Sequence, residues 1–170
     1  VRIGHKESLN RRFIEGEVAQ VILETEGSGA SDLIGSQGTR LWDLIVGADV
    51  ALDLVADMGV GSVDLNLADT ALEDLSVDLG VGEINISLPD NRSHESVIDG
   101  GIGIIFIEVP KDTGVRLMAD AGLVTRSIPS TYTQSGDVYT SPNYEEADHR
   151  VDLTLSLGIG SLTLREAVTP

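Results

Sequence analysis

The chain has 170 residues, no cysteine and a formal net charge of −17 at pH 7. The length is ordinary for one domain with a sizeable core, and the lack of cysteine excludes disulfide bonds. The negative charge disfavours anionic partners, so we expect no nucleic-acid partner. No apolar run approaches the roughly 20 residues of a membrane-spanning helix. Because the chain begins with Val1 rather than Met, we expect it to be part of a longer protein.

The first part of the chain predicts a tether followed by a first strand. Residues 1–16 are polar and basic without periodicity, and we interpret them as a linker or tether. The composition from Val18 to Thr25 predicts a first strand. Gly38 then begins a degenerate first coil, in which Trp42 is expected to fill the core.

A repeat of 21 residues organises the chain from Leu52 to Leu123. Glycine pairs recur at this spacing and are followed by a single glycine: Gly59/Gly61, Gly80/Gly82, Gly101/Gly103 and Gly122. A fixed period of this size is typical of a solenoid, in which each repeat is one coil. Alternation places four residues of the first coil on its inward face: Leu54, Ala56, Met58 and Val60. The apolar phase shifts after each glycine pair, which indicates a corner between two strands. The prediction is an all-β fold, a right-handed parallel β-helix (β-solenoid) with coils of about 21 residues.

The repeat is interrupted by an insertion at about 130–150, which contains all three tyrosines: Tyr132, Tyr139 and Tyr144. A final coil follows at 153–164, and we expect it to end the stack with an outer edge that is bare unless Arg165, Glu166 and the tail blunt it. We therefore assign 17–166 to a single solenoid domain and 167–170 to a tail.

Two outward positions break the polar pattern of the water-facing rows. Ile104 and Phe106 stand where other coils carry serine, aspartate, glutamate or asparagine. An exposed apolar patch normally has a cover, and we expect the insertion to fold back with its tyrosines over Phe106. The alternative is an interface with a partner or with a second copy in a homo-oligomer. The predicted interaction surface comprises Ile104, Phe106, Tyr132, Tyr139 and Tyr144.

A strict series of aspartates predicts a column of carboxylates on the stacked coils: Asp57, Asp78, Asp99 and Asp120. Asp53 and Asp74 begin a shorter column beside it. The simplest interpretation is that each aspartate is a turn residue facing solvent. Two alternatives are a calcium site that stabilises the repeat and the acid/base pair of a carbohydrate-acting β-helix enzyme. Against the enzyme, identical coils do not drive two carboxyl pKa values apart.

The remaining candidates for chemistry give no further site. The histidines His5, His94 and His149 lack metal-ligand spacing with one another, and we interpret all three as solvated. There is no cysteine nucleophile and no Gly-x-Ser-x-Gly motif. We therefore expect no catalytic residues, no enzymatic activity and no cofactor other than the calcium alternative.

The order strand, Gly-x-Gly corner, strand, proline resembles the bacterial toast-rack family. It is carried by Gly80-Val81-Gly82 with Pro89, Gly101-Ile102-Gly103 with Pro110, and the closing Gly158-Ile159-Gly160. The chain is also similar to adhesin domains and to the C-terminal domain of Lia-type cell-wall-antibiotic response proteins, over about residues 40–166.

This resemblance implies a non-enzymatic β-helical domain of the bacterial cell envelope, outside the cytoplasm. It implies adhesion, scaffolding or stress sensing through an envelope or protein partner. It also implies membrane anchoring of the full-length protein through segments outside this chain. The resemblance supplies no catalytic residues.

Overall fold

The computed structural model describes residues 18–24 and 50–167, with only the backbone described for 18–24. The predicted tether, Gly38, Trp42 and the last three residues lie outside this part of the chain. Within the described ranges, no helix is long and apolar enough to cross a membrane.

The described residues form one sheet of eight strands in the order β1-β2-β3-β4-β8-β5-β7-β6. The strands are β1 (Val18–Glu24), β2 (Ala51–Asn66), β3 (Ala71–Ser87), β4 (His94–Val109), β5 (Gly114–Ser127), β6 (Thr133–Ser135), β7 (Val138–Thr140) and β8 (Arg150–Glu166). The five long strands and β1 pair with one another in parallel, and the antiparallel pairs are those of β7 with β5 and with β6. The predicted all-β and mainly parallel architecture is therefore confirmed.

At the glycine corners the backbones of neighbouring coils lie in direct contact, so that the long strands bend at the same place. A Cβ added at Gly80 would lie 2.5 Å from the Gly59 carbonyl oxygen, and one at Gly82 would lie even closer to the Gly61 oxygen. Gly82 also has a φ of 149°, which favours glycine. Buried side chains change phase across this corner, as β3 shows with Leu75, Val77, Leu79, Ile84 and Ile86.

The last long strand, β8, lies inside the stack and not at its end. It pairs in parallel with β4 on one side and with β5 on the other. The prediction that the final coil ends the stack and provides its outer edge is therefore wrong. β8 restores the glycine corner, whereas β5 places Val124 opposite Gly160 and Arg126 opposite the buried Leu162. A strand that departs from the repeat in this way suits the end of the stack, where no further coil has to pack.

The insertion caps the outer edge of β5. β7 pairs with Arg116, Leu117 and Met118 of β5, and β6 pairs with β7 on its outer side. The Ser141 N–H donates to the Val115 carbonyl at 2.8 Å, and the Val115 N–H donates to Ser141 Oγ at 2.9 Å. These bonds satisfy backbone groups that an uncapped end would leave without partners.

Candidate functional site

A row of exposed aliphatic side chains follows the glycine corners across five strands. We call it the corner ridge, and it consists of Val60, Val81, Ile102, Ile159 and Leu123. These residues pair in register from β2 through β3, β4 and β8 to β5. Their exposed fractions range from 44% to 79%. With a strand spacing of about 4.8 Å, the ridge is about 19 Å long.

The fold does not require apolar side chains at these corner positions. Val60 was expected on the inward face, but the bend turns it outward and leaves it 77% exposed. A polar residue would fit there without being buried, so packing does not explain an aliphatic residue at all five corners. Contiguous exposed apolar rows are typical of interaction surfaces. Ile104 is 51% exposed, lies two residues beyond Ile102, and extends the ridge on β4.

Phe106 is covered by an arginine and not by the tyrosines of the insertion. Its ring is half-buried, and the Arg165 guanidinium carbon lies 4.6 Å from the ring centroid, as in a cation–π contact. Arg165 Nε also donates to Glu108 Oε2 at 2.8 Å. The predicted packing of the tyrosines over Phe106 is therefore wrong, because β8 lies between β4 and the strand that the insertion caps.

The three tyrosines stabilise the cap. Tyr132 is buried in the hydrophobic core, and Tyr139 packs against that core. The Arg116 guanidinium carbon lies 4.1 Å from the Tyr144 ring centroid, and the Tyr144 hydroxyl donates to Asp152 Oδ1 at 2.9 Å. Burial raises the pKa of both Tyr132 and Tyr144. Of the residues predicted as an interaction surface, Ile104 is thus the one whose side chain is more than half exposed.

The predicted aspartate column is continuous over three strands and interrupted at the fourth. Asp57, Asp78 and Asp99 pair in register. Ser156 of β8 then separates Asp99 from Asp120. All four aspartates are exposed, and in the described part of the chain no group of three or more acidic, histidine or cysteine side chains is arranged to hold a metal ion. Calcium binding by these residues stays a prediction, which thermal melts with millimolar calcium and with chelator would test.

The second acidic row is longer than the sequence suggested. It runs across four strands through Asp53, Asp74, Glu95 and Asp152 and then reaches Arg116. Asp53 Oδ1 is buried without a hydrogen-bond partner among the described residues. Burial raises the pKa of Asp53, and the carboxylates of Asp74 and Glu73 raise it further.

His94 is buried, although the sequence predicted a solvated side chain. It begins β4 on the inward side and is 5% exposed. Its Nδ1 lies 3.3 Å from the Arg92 carbonyl oxygen, and its Nε2 has no partner among the described residues. Burial lowers the pKa of His94, while the Arg92 carbonyl and the Asp74 carboxylate act in the opposite direction. The prediction failed because His94 is the first residue of β4 and lies in phase with the inward Ser96 and Ile98.

The comparisons with known proteins agree with the architecture. The N-terminal domain of toast_rack, DUF2154, matches residues 12–108. The solved structure of a protein from Clostridium sporogenes ATCC 15579, described as a putative cell adhesion protein, superposes with a TM-score of 0.70 at 19% identity, covering 79% of this chain and 67% of that chain. At this identity the likeness shows the fold alone. No curated protein matches the chain. Because the matched domain spans more than half of the sequence, the chain belongs to the toast-rack family.

Proposed function

We propose that the chain is a non-enzymatic, adhesin-like interaction module of the bacterial cell envelope, which binds a protein partner through the corner ridge. The observation that carries this proposal is the exposure of five aliphatic side chains in register over five strands. Membership of the toast-rack family and the cell-adhesion description of the Clostridium sporogenes protein support an envelope setting. A stress-sensing role would use the same surface.

The proposal includes the geometry that presents the ridge. In β2, β3 and β4, equivalent residues pair 21 positions apart, as Asp57 with Asp78 and Asp78 with Asp99. We propose that these coils of about 21 residues wind as a right-handed β-helix, because parallel crossovers are right-handed in nearly all proteins. Each coil then contributes one side chain to the ridge, and the spacing between these side chains is fixed by the backbone.

The binding energy of such a ridge comes from apolar area removed from water. A half-exposed aliphatic side chain contributes about 1 kcal/mol when a partner covers it. Replacing two adjacent ridge residues should therefore weaken binding by about tenfold or more.

The test is cosedimentation of the fluorescently labelled chain with isolated cell envelopes of the source bacterium. The variant Val81→Ser/Ile102→Ser removes the centre of the ridge. The control is Val97→Ser on β4, where the valine is 44% exposed but lies outside the ridge. We expect the control to sediment like the wild type and the ridge variant to stay in solution. Equal sedimentation of all three proteins would contradict the proposal.

The envelope location has a separate test in the full-length protein. We expect that protein to fractionate with membranes and to be cleaved by protease added to intact cells. Recovery in the cytosolic fraction would contradict the envelope location and would leave the apolar ridge without an envelope partner.

A further inference from the structure

The charges beside the corner ridge differ between its two halves. On β2, β3 and β4 an exposed aspartate precedes each ridge residue by three positions: Asp57, Asp78 and Asp99. Beyond the corner, the same half carries the exposed carboxylates of Asp64 and Glu83. The ridge residues of β2 and β3 therefore lie between two acidic borders, whereas on β4 the acidic border precedes the corner and the apolar Ile104 follows it.

The border beyond the corner is held in place by hydrogen bonds. The Asn85 side-chain amide donates to Asp64 Oδ1 at 2.8 Å and to Glu83 Oε1 at 2.9 Å. The Ser62 hydroxyl donates to Asp64 Oδ2 at 3.3 Å. These bonds fix the two carboxylates beside the ridge but leave them without a cationic partner in the described structure.

The other half of the ridge, on β8 and β5, has uncharged borders except for Asp120 and the exposed Arg126, whose guanidinium donates to the Ala121 carbonyl at 3.1 Å. Ser156 takes the place of the aspartate on β8, and Ser161 and Thr125 follow the corner. No acidic residue occurs from Ala121 to Gly136. The ridge therefore changes from acidic borders to hydroxyl borders along its length.

We infer that the corner ridge binds a polypeptide segment with an apolar stripe that has lysine or arginine on both sides at one end and uncharged polar residues at the other. This inference rests on the proposed function and adds the chemistry and direction of the partner. Opposite charges steer encounter and select among partners that offer similar apolar area. The basic end lies over β2 and β3, its basic residues continue on one side over β4, and the uncharged end lies over β8 and β5.

The same charges argue against two other occupants of the ridge. An anionic lipid surface would be repelled by the acidic borders. A second copy of the chain also carries a net charge of −17 and would meet the same repulsion. The basic partner segment is therefore the occupant that the surface favours.

Three synthetic peptides of ten residues test the inference by fluorescence anisotropy. Each has valine at alternate positions, with lysine, serine or glutamate between them. We expect the Val/Lys peptide to bind, the Val/Ser peptide to bind at least tenfold more weakly, and the Val/Glu peptide not to bind. The affinity of the Val/Lys peptide should fall as salt is raised.

Two charge variants separate a local effect from that of overall charge. The variant Asp57→Asn/Asp78→Asn/Asp99→Asn removes one border of the ridge, whereas Asp90→Asn/Asp112→Asn/Asp137→Asn removes the same charge from exposed turn and loop positions. We expect the border variant to bind the Val/Lys peptide about tenfold more weakly and the turn variant to lose less than twofold. A third variant, Val81→Ser/Ile102→Ser, should also bind the Val/Lys peptide about tenfold more weakly.

The outcomes distinguish the inference from the proposed function. Equal losses in the two charge variants would overturn the inference, because attraction would then depend only on net charge. Binding of the Val/Ser peptide as tight as that of the Val/Lys peptide would overturn it too, while the ridge could still bind envelopes. If the Val81→Ser/Ile102→Ser variant bound both peptide and envelopes normally, the inference and the proposed function would fail together.

Discussion

Mild acid should destabilise the protein through His94, which is buried at the start of β4. Burial lowers the pKa of its imidazole below the ordinary value of 6.5, with the Arg92 carbonyl and the Asp74 carboxylate opposing this shift. In the unfolded chain the pKa returns to its ordinary value. Between the two pKa values the unfolded state binds the additional proton, so protonation favours unfolding as the pH falls.

The size of this effect is limited by the uptake of one proton. A single group changes the free energy of unfolding by at most about 1.4 kcal/mol for each pH unit. Between pH 6.5 and pH 5.5 we expect His94 to remove at most about 1 kcal/mol of stability. Above about pH 7.5 the imidazole is neutral in both states, so it adds no slope there. Below the pKa of His94 in the folded protein, the imidazole is protonated in both states, and it adds no further pH dependence to the free energy of unfolding.

The substitution His94→Leu isolates the effect because the neighbouring strands carry aliphatic side chains in the same row. His94 pairs with Val151, which pairs with Val115, and both valines are buried. We expect the variant to gain about 1–3 kcal/mol at pH 7.5, because a buried ring nitrogen without a partner is removed. The variant should also lose the part of the pH dependence below pH 6.5 that His94 contributes.

Urea unfolding followed by circular dichroism at pH 5.5, 6.5 and 7.5 measures both effects. The difference between wild type and variant removes the contribution of the carboxylates that they share. His149→Gln, in the half-exposed loop before β8, is the control and should keep the slope of the wild type. If His94→Leu showed the same slope as the wild type between pH 6.5 and 5.5, the reasoning would be refuted.

Three further substitutions test the corner, the acidic row and the cap. Gly82→Ala should cost about 4 kcal/mol or more in urea unfolding, because its methyl group would meet a backbone carbonyl of the preceding coil. Asp53→Asn should raise the melting temperature at pH 7, because it removes a half-buried carboxylate whose pKa is raised by partial burial and by acidic neighbours. That gain should shrink as the pH falls towards 3, where the carboxyl is protonated in both states. Tyr144→Phe should cost about 1 kcal/mol of unfolding free energy, because the hydroxyl loses its hydrogen bond to Asp152.

Each of these changes has a matched control. Gly100→Ala should cost less than Gly82→Ala, because its methyl group would meet two flexible side-chain methyl groups at 3.0 and 3.2 Å. Asp57→Asn removes an exposed carboxylate and should shift the melting temperature by less than Asp53→Asn. Tyr139→Phe tests a tyrosine of the same cap. If both substitutions of a pair changed the stability equally, the contact named for the first one would not be the cause of its effect.

The sequence predicted the sheet well where every repeat obeys the same local physics. The spacing of Gly80 from Gly59 indicated a corner, and the structure shows why no side chain fits between these backbones. The parallel pairing of Asp57 with Asp78 follows from the same spacing. The first strand, predicted from Val18 to Thr25, is β1 at Val18–Glu24.

The order of the strands was not predicted, because coils that follow one another in the sequence were assumed to be neighbours in the stack. The signal was present in β5, where Val124 and Arg126 replace the second corner glycine and a core aliphatic residue, while β8 restores both. His94 also gave a usable signal. It lies in phase with the inward Ser96 and Ile98, but its polarity was taken as evidence of exposure. The corner ridge was missed because the alternation of inward and outward side chains was assumed to continue through the corner. The bend there turns Val60 outward.

The position of β8 makes the corner ridge a product of both halves of the chain. The segment that matches the toast-rack N-terminal domain ends at residue 108, one residue before β4 ends. The outer edge of β4 pairs with β8, which places Ile159 beside Ile102 and supplies the arginine that covers Phe106. The change from acidic to hydroxyl borders falls at this same junction, where Ser156 follows Asp99. The position of β8 between β4 and β5 therefore continues the apolar surface. It also makes the two ends of that surface different, and this difference sets the direction in which the partner segment is proposed to bind.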